Sequence, residues 1–304
     1  SRAMTTGSQN TAVGSLALRT ATTADNNTAV GYNALNANTS GTQQVAVGSL
    51  ALDANTTGSY NTALGYETLT TNTTGAENTA LGTSSMKDNT TGTYNTAIGV
   101  ASLQHNTTAN DNVAVGYLAL YENTTGTGNT AIGKGTLDTN TTGNYNEAIG
   151  IDALTALTTG SSNIAIGRGA AGTLTTQNNN VSIGYLSQQN STGSENTSIG
   201  VETLQANTSG TSNTAIGFRS LEANTSADKS TAMGDSTLRA NTTGDENTAV
   251  GFSALTANTT GTQNTSVGAL ALDACTTGSF ITALGYKALS SDATPEESCA
   301  VGYN

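Results

Sequence analysis

Several residue types on which folds and active sites depend are scarce in this 304-residue sequence. It has no tryptophan, three phenylalanines, one proline and one histidine, and only 10% of its residues are charged. A conventional aromatic core is therefore excluded, and the interior must be packed with small side chains. The single histidine, His105, lies in a variable position beside a turn, which disfavours histidine-based catalysis.

Cysteine is almost absent as well. Cys275 and Cys299 are too few for a disulfide framework, and we expect two buried free thiols. No Cys/His cluster has the spacing of a zinc site, and no calcium-binding repeat occurs. The sequence therefore predicts a protein that is not an enzyme, with no catalytic residues, no cofactor and no metal.

Charge is sparse and of mainly one sign. The 21 acidic and 9 basic residues give a net charge of −12, scattered without acidic or basic runs. Nucleic acid and anionic membrane surfaces are therefore not expected partners. No stretch approaches the roughly 20 apolar residues needed to cross a bilayer, so membrane insertion is not expected either.

A strict internal repeat is the dominant feature. A small residue, an aliphatic residue and a glycine recur along the whole chain, and sixteen of the seventeen glycine intervals are 17 residues, while Gly184 to Gly200 is 16. A period held this tightly indicates that each repeat is one turn of a solenoid. We therefore predict an all-β fold, a parallel β-solenoid or β-roll of about eighteen 17-residue coils. It forms a single array over residues 1–304, with irregular coils at about 150–200.

Two columns of apolar side chains are predicted to form the core. The aliphatic residue before the glycine is assigned to the interior, and Leu follows four residues after the glycine in fourteen of seventeen repeats. The predicted core includes Val13, Val30, Val47, Ile98, Leu35, Leu52, Leu103 and Leu255. Adjacent strand residues face opposite sides, so the small residue before the aliphatic one is predicted to face outward, against another copy of the chain. This candidate trimer-facing ladder includes Ala12, Ala29, Ala46, Ala63, Ala80 and Ala97.

The N-T-T-G segments, such as Asn55–Gly58 and Asn72–Gly75, are turn signals. Asn is expected to bond to the backbone and to its copies above and below, and Gly is expected to supply positive φ. A second Asn, four residues before the strand glycine, is expected to do the same at another corner.

The strings N-T-A-V-G, N-T-A-I-G and N-T-S-V-G, followed by a small residue and Leu, carry a resemblance to known families. They resemble the head repeats of YadA-type trimeric autotransporter adhesins and, more closely, the N-T-A-V-G-Y-x-A-L-x-x-N-T-T-G arrays of phage tail fibres and bacterial surface fibres. The resemblance implies a left-handed β-roll that assembles as a homotrimer. It further implies a segment of a longer structural or adhesive fibre, extracellular, on a cell surface or a virion, giving length and stiffness.

Two repeated surface features could bind a ligand. Aromatic residues follow the strand glycine at several turns, and aromatic faces stack on sugars, which makes a host glycan or receptor a candidate partner. These candidate glycan contacts are Tyr32, Tyr66, Tyr117, Tyr185, Phe218, Phe252 and Tyr286. A second aromatic set comprises Tyr60, Tyr94, Tyr145 and Phe280. The alternative interpretation of the aromatics is shielding of a strand edge or of a seam between chains.

Stacked threonines such as Thr57, Thr74 and Thr91 suggest a second class of function, an ice- or surface-binding solenoid. The two threonines of each N-T-T-G segment are adjacent and lie at a turn, which favours the fibre interpretation.

Overall fold

The fold is an all-β parallel β-solenoid of about 17 turns, as given by a computed structural model that describes residues 5–303. Eighteen strands of three residues occur, and the described residues contain no helix. The chain divides into two compact units, Ser1–Asp152 and Ala153–Asn304, each built from the same repeated turn.

The strands recur once per turn. In the first unit they are β1 (Thr11–Val13), β2 (Thr28–Val30), β3 (Val45–Val47), β4 (Thr62–Leu64), β5 (Thr79–Leu81), β6 (Thr96–Ile98), β7 (Val113–Val115), β8 (Thr130–Ile132) and β9 (Glu147–Ile149). In the second unit they are β10 (Ile164–Ile166), β11 (Val181–Ile183), β12 (Thr197–Ile199), β13 (Thr214–Ile216), β14 (Thr231–Met233), β15 (Thr248–Val250), β16 (Thr265–Val267), β17 (Thr282–Leu284) and β18 (Cys299–Val301).

Within each unit, each strand pairs in parallel with the strand of the next turn, residue for residue. Between β4 and β5, for example, Ala63 pairs with Ala80 and Leu64 with Leu81. Every side chain therefore stacks on its equivalent about 4.8 Å away, and each repeat position becomes a column.

The 16-residue turn keeps this register, since Val181 still pairs with Thr197. Its missing residue falls at a corner, where Ser191-Thr192-Gly193 stands in place of N-T-T-G.

The sequence-based assignment of the strand faces is wrong. The middle residue of the strand points inward: Ala29, Ala46, Ala63, Ala80 and Ala97 are fully buried, and of the predicted outward ladder only Ala12, in the first strand, is exposed. The aliphatic residue at the strand end points outward, with Val13 57% and Ile98 36% exposed and Val30 and Val47 half-buried. The strand alternates as expected, but with the opposite face inside.

The leucine column explains why alanine lies inside. Leu35, Leu52, Leu103 and Leu255 are fully buried, as predicted. In the second unit, buried leucines such as Leu221 and Leu238 form one cluster with the strand alanines, including Ala232 and Ala249. One large side chain per turn fills this narrow coil, so only a small side chain fits on the strand that faces it.

Leucine occupies its column for a conformational reason. Leu35, Leu52 and Leu69 all have φ of 51°, in the left-handed region. Residues branched at Cβ are strongly disfavoured there, whereas Leu branches one carbon farther out. Among residues 5–303, none of the 49 non-glycine residues with positive φ is Val, Ile or Thr.

Buried amides form two columns at the corners, as the sequence predicts. The Asn72 side chain donates from Nδ2 to Asn55 Oδ1 and to the Gly75 carbonyl, both at 2.9 Å, and accepts from Asn89 Nδ2 at 2.8 Å. At the other corner, Asn78 Nδ2 donates to the Gly92 carbonyl at 2.8 Å and to Asn61 Oδ1 at 3.2 Å. These bonds satisfy polar groups that water cannot reach, and they tie consecutive turns together.

Two glycine positions are required for different reasons. The glycine that ends each strand has φ of 126–144°, which other residues rarely adopt. The N-T-T-G glycine was expected to supply positive φ, but Gly58 and its equivalents lack it. A Cβ on Gly58 would lie 2.2 Å from the Gly75 carbonyl oxygen, so the close approach of the next turn excludes a side chain there.

In some turns, an apolar or thiol side chain replaces the buried asparagine of the N-T-T-G corner. Leu157 and Leu174 take the corner asparagine position and are fully buried. Cys275 occupies the same position and is buried, whereas Cys299 opens a strand and is exposed, so the expectation of two buried thiols holds only for Cys275.

Candidate functional site

The exposed side of the strands carries a continuous apolar column within each unit. We call it the strand face: the first and third residue of each strand, such as Thr62 with Leu64 and Thr96 with Ile98. Leu64, Leu81 and Ile132 are 43%, 41% and 39% exposed. In the first unit, nine aliphatic side chains stack at about 4.8 Å, a strip about 40 Å long. Apolar patches of this continuity are typical of interaction surfaces.

The predicted glycan contacts all lie in one column, directly after the strand glycine, which we call the aromatic stripe. All seven rings are exposed: Tyr32, Tyr66, Tyr117, Tyr185, Phe218, Phe252 and Tyr286. In the second unit the last four occupy every second turn, so successive rings are about 9.6 Å apart. Within each unit, the structure therefore places the predicted aromatics at the same repeat position.

Two rings of the aromatic stripe, Phe218 and Tyr286, are in contact with other side chains of the same chain. The Arg219 guanidinium lies 4.9 Å from the Phe218 centroid and Lys287 Nζ lies 5.6 Å from that of Tyr286. Tyr286 also stacks on Tyr303 at 5.3 Å. These cation–π and ring contacts cover faces that a sugar would need.

Tyr66 has a polar partner at its hydroxyl. A hydrogen bond to Glu67 is the main cause that raises the pKa of Tyr66 above its usual value. Within the described residues, Tyr32, Tyr117, Tyr185 and Phe252 make no ring or cation contact, so they are the stripe positions best suited to stacking.

A second surface column lies two residues before each strand, and we call it the corner column. It carries the other aromatics, Tyr60, Tyr94, Tyr145 and Phe280, which are 57–68% exposed. In the first unit, tyrosines and carboxylates alternate in this column in the order Tyr60, Glu77, Tyr94, Asp111. Sequence analysis found the aromatics of this column but not the alternation, which is visible only when turns are aligned one above another.

Ion pairs join side chains of neighbouring turns. Glu67 accepts from Lys87 Nζ at 2.6 Å, and this hydrogen bond is the main cause that lowers the pKa of the Glu67 carboxyl. In the second unit, Arg219 pairs with Glu202 at 2.7 Å, and Arg239 with Glu222 at 2.6 Å. These exposed pairs fix side chains along the stack and stabilise it weakly.

His105 behaves in the same way. Its Nδ1 lies 2.6 Å from Asp88 Oδ2 of the preceding turn, and its ring packs edge-on against Tyr121. The contact joins two equivalent positions of adjacent turns, as the pairs Arg219–Glu202 and Arg239–Glu222 do. A search of residues 5–303 finds no group of three metal-ligating side chains.

The threonines of the N-T-T-G corner have two roles. The first donates its hydroxyl to the next turn, as Thr56 Oγ1 does to the Thr73 carbonyl at 2.9 Å. The second, including Thr57, Thr74 and Thr91, is exposed. A separate threonine column, which sequence analysis did not single out, lies on the strand face.

Comparisons with known proteins add no family. No protein-family model matches this chain, and no curated protein matches it at a significant level. As for membrane contact, the part of the chain that the structure describes has no helix long and apolar enough to cross a bilayer.

Proposed function

We propose that this chain is a structural or adhesive fibre segment, of the kind found in phage tail fibres and bacterial surface adhesins, and that it acts outside the cell, on a cell surface or on a virion. The observation that carries the proposal is the strand face, a strip of stacked aliphatic and threonine side chains exposed to water. A repeated turn with no irregular insertion supplies length and stiffness, and the proposed role requires neither catalysis nor a cofactor.

The proposed assembly is a homotrimer of left-handed coils, joined through the strand face. The original reason for a trimer, an outward alanine ladder, no longer applies because the alanines are buried. The aliphatic column takes its place, since its burial between copies would stabilise the complex by about 25 cal/mol per Å². Its regular spacing of one aliphatic side chain per turn suits a partner with the same repeat, namely the same chain.

Light scattering on the purified chain tests this assembly. For the wild-type chain we expect a mass of three chains. The substitutions Leu81→Lys and Ile98→Lys should each reduce the mass to that of one chain, because each places a charge in the proposed interface. The matched control is Val100→Lys, which alters an exposed aliphatic residue outside the strand face and should leave the mass unchanged. A monomeric wild-type chain would contradict the proposal.

Host contact is assigned to the aromatic stripe, with a surface glycan or receptor as partner. Glycan-array binding should fall when Tyr185 and Phe252 are both changed to Ser, because these rings are open to stacking. The matched control, Phe218→Ser, removes a ring already covered by Arg219 and should have a smaller effect. Equal losses in both variants would argue against stacking on the stripe.

A second candidate, ice or mineral-surface binding, gains support from the strand face rather than from the corner threonines. Thr62, Thr79 and Thr96 present a methyl and a hydroxyl at regular intervals on consecutive strands, beside an aliphatic column. Thermal hysteresis by the purified chain, lost in Thr79→Lys, would favour this function over the fibre. Normal ice growth in the presence of the chain would argue against ice binding and would favour the fibre function.

A further inference from the structure

We infer that the corner column of the first unit holds a binding site for an organic ammonium cation, formed by Tyr60, Glu77 and Tyr94. A groove of about 450 Å³ lies here, lined by Tyr60 and Glu77. The site is separate from both the strand face and the aromatic stripe, and it does not depend on the proposed fibre function.

The backbone holds the three side chains in a fixed stack. Tyr60, Glu77 and Tyr94 have φ of 58–61°, so their side chains leave the coil from equivalent backbone. The Glu77 amide donates to the Ser59 carbonyl at 3.0 Å and the Tyr94 amide to the Ala76 carbonyl at 3.2 Å. These bonds set neighbouring positions about 4.8 Å apart, with Glu77 in the middle.

This spacing suits a cation. A positive group held at the Glu77 level lies about 4.8 Å from the level of each tyrosine, inside the range of about 6 Å over which an aromatic ring attracts a cation. The carboxylate supplies the opposite charge and the two rings supply apolar contact for methyl groups. Quaternary ammonium groups combine these properties, and the net charge of −12 favours their approach.

The same column in the second unit shows how a carboxylate is satisfied internally. Glu246 has Lys229 one turn before it, at 3.7 Å, and Gln263 one turn after it, whose Nε2 donates at 2.9 Å. At Glu77 the two neighbouring positions carry tyrosines, and within the described residues Glu77 makes no ion pair. In the first unit, the Glu77 carboxylate thus lies between two tyrosines. In the second unit, the Glu246 carboxylate lies between Lys229 and Gln263, which both carry donor groups.

Titration of choline into the intact chain tests the inference. Fluorine NMR of fluorotyrosine-labelled protein reports on the ten tyrosines, and Tyr60→Phe and Tyr94→Phe assign two of the signals. We expect those two signals to shift saturably with a millimolar dissociation constant. The neutral isostere of choline, in which tert-butyl replaces trimethylammonium, should produce no saturable shift.

Variants separate the roles of charge and rings. Glu77→Gln should weaken choline binding about fivefold, and Tyr60→Ser and Tyr94→Ser each about threefold to fivefold. The matched control is Glu246→Gln, which removes a carboxylate from the same column and should leave choline binding at Tyr60 and Tyr94 unchanged. Circular dichroism verifies that every variant is folded.

Three results would overturn the inference. Equal binding of choline and its isostere, or of choline to wild type and Glu77→Gln, would show an apolar or sugar-stacking surface instead. Undiminished binding to both tyrosine variants would show charge attraction without a built site.

Discussion

Each turn contains residues with positive φ, and their identity shows how one dihedral angle selects a side chain. The inner column contains Leu in most turns, with Met86, Ala171 and Gln188 as the other occupants, but never Val or Ile. On the strand, where φ is negative, Val and Ile are common at the outward position. Side-chain branching therefore distinguishes two apolar columns that hydropathy alone treats as the same.

Leu69 provides a direct test of this selection. We expect Leu69→Ile to destabilise the chain by about 1–2 kcal/mol more than Leu69→Met, because a side chain branched at Cβ is strained in left-handed backbone, whereas Met is a volume-conserving exchange. Denaturant unfolding of the two variants measures the difference. Leu81→Ile, on a strand, is the control and should stay within about 0.5 kcal/mol of wild type. Equal losses for Ile and Met at residue 69 would contradict the explanation.

Asp138 gives a prediction about pH. Burial, followed by the nearby charges of Glu122 and Asp152, raises the pKa of the Asp138 carboxyl above its usual value. A raised pKa means that the folded state binds the proton more tightly. Its contribution to stability is fully present below the unfolded pKa and is lost as pH rises through the folded pKa.

We therefore expect Asp138→Asn to stabilise the chain at neutral pH, by less than about 1 kcal/mol after solvent screening, and to have little effect below pH 3.8. Unfolding measured across this range checks both the sign and the window. Asp53→Asn should stabilise the chain less than Asp138→Asn does. Burial raises the pKa of Asp53, but a hydrogen bond from Asn36 partly offsets this effect. A loss of stability at neutral pH in Asp138→Asn would show the sign to be wrong.

At the scale of the single turn, the irregular turn around Gln188 replaces an aliphatic contact with a polar one. Gln188 takes the inner leucine position and is fully buried. Ser182 Oγ donates to its Oε1, and its Nε2 donates to Asn180 Oδ1 at 3.2 Å and to Ser191 Oγ at 3.4 Å. Ser182 in turn replaces the usual strand alanine, so the two polar residues depend on each other.

A double-mutant cycle measures this dependence. We expect Gln188→Leu alone to cost about 1–3 kcal/mol, because it removes the acceptor of the Ser182 hydroxyl and the donor to Asn180 and Ser191. Adding Ser182→Ala should recover at least about 1 kcal/mol, since the pair then matches the ordinary turn. Additive effects in urea unfolding would show that the two residues are independent.

The sequence predicts the repeated turn correctly, but it does not predict which side of each strand faces the interior. The spacing of the glycines gave the parallel register, and N-T-T-G gave the amide columns that Asn72 and Asn78 form. Alternation along T-A-V defines two faces, but both Ala and Val are apolar and neither marks the interior. The missing information was the width of the coil, which is set by one leucine per turn and leaves room only for Ala29 and its equivalents.

For the candidate surfaces, the sequence identified which side chains belong to each column. The structure identified which side chains of neighbouring turns contact them. The aromatic stripe was predicted as a column, whereas its internal cation partners, Arg219 and Lys287, could not be foreseen because they depend on side-chain reach across turns. The Glu77 groove was likewise missed, since 17 residues separate each member from the next.

At the scale of the whole molecule, charge and the strand face should act in opposite directions on assembly. The net charge of −12 repels copies from one another, while the strand face favours their association. We expect added salt to strengthen the proposed trimer, because screening weakens repulsion and leaves apolar contacts intact. Sedimentation at low and physiological ionic strength should show assembly at a several-fold lower concentration in the higher salt. Dissociation by salt would instead indicate an interface held by ion pairs.

Register between turns also has a genetic consequence. Because each position stacks on its own copy, removing or duplicating 17 consecutive residues leaves every column continuous. Unequal recombination within the repeated gene can therefore lengthen or shorten the protein by whole turns without a new folding problem. Loss of a single residue is tolerated at a corner such as Ser191–Gly193, where no strand register depends on it. The repeat thus allows the number of turns to change while the stacking of each turn on the next stays the same.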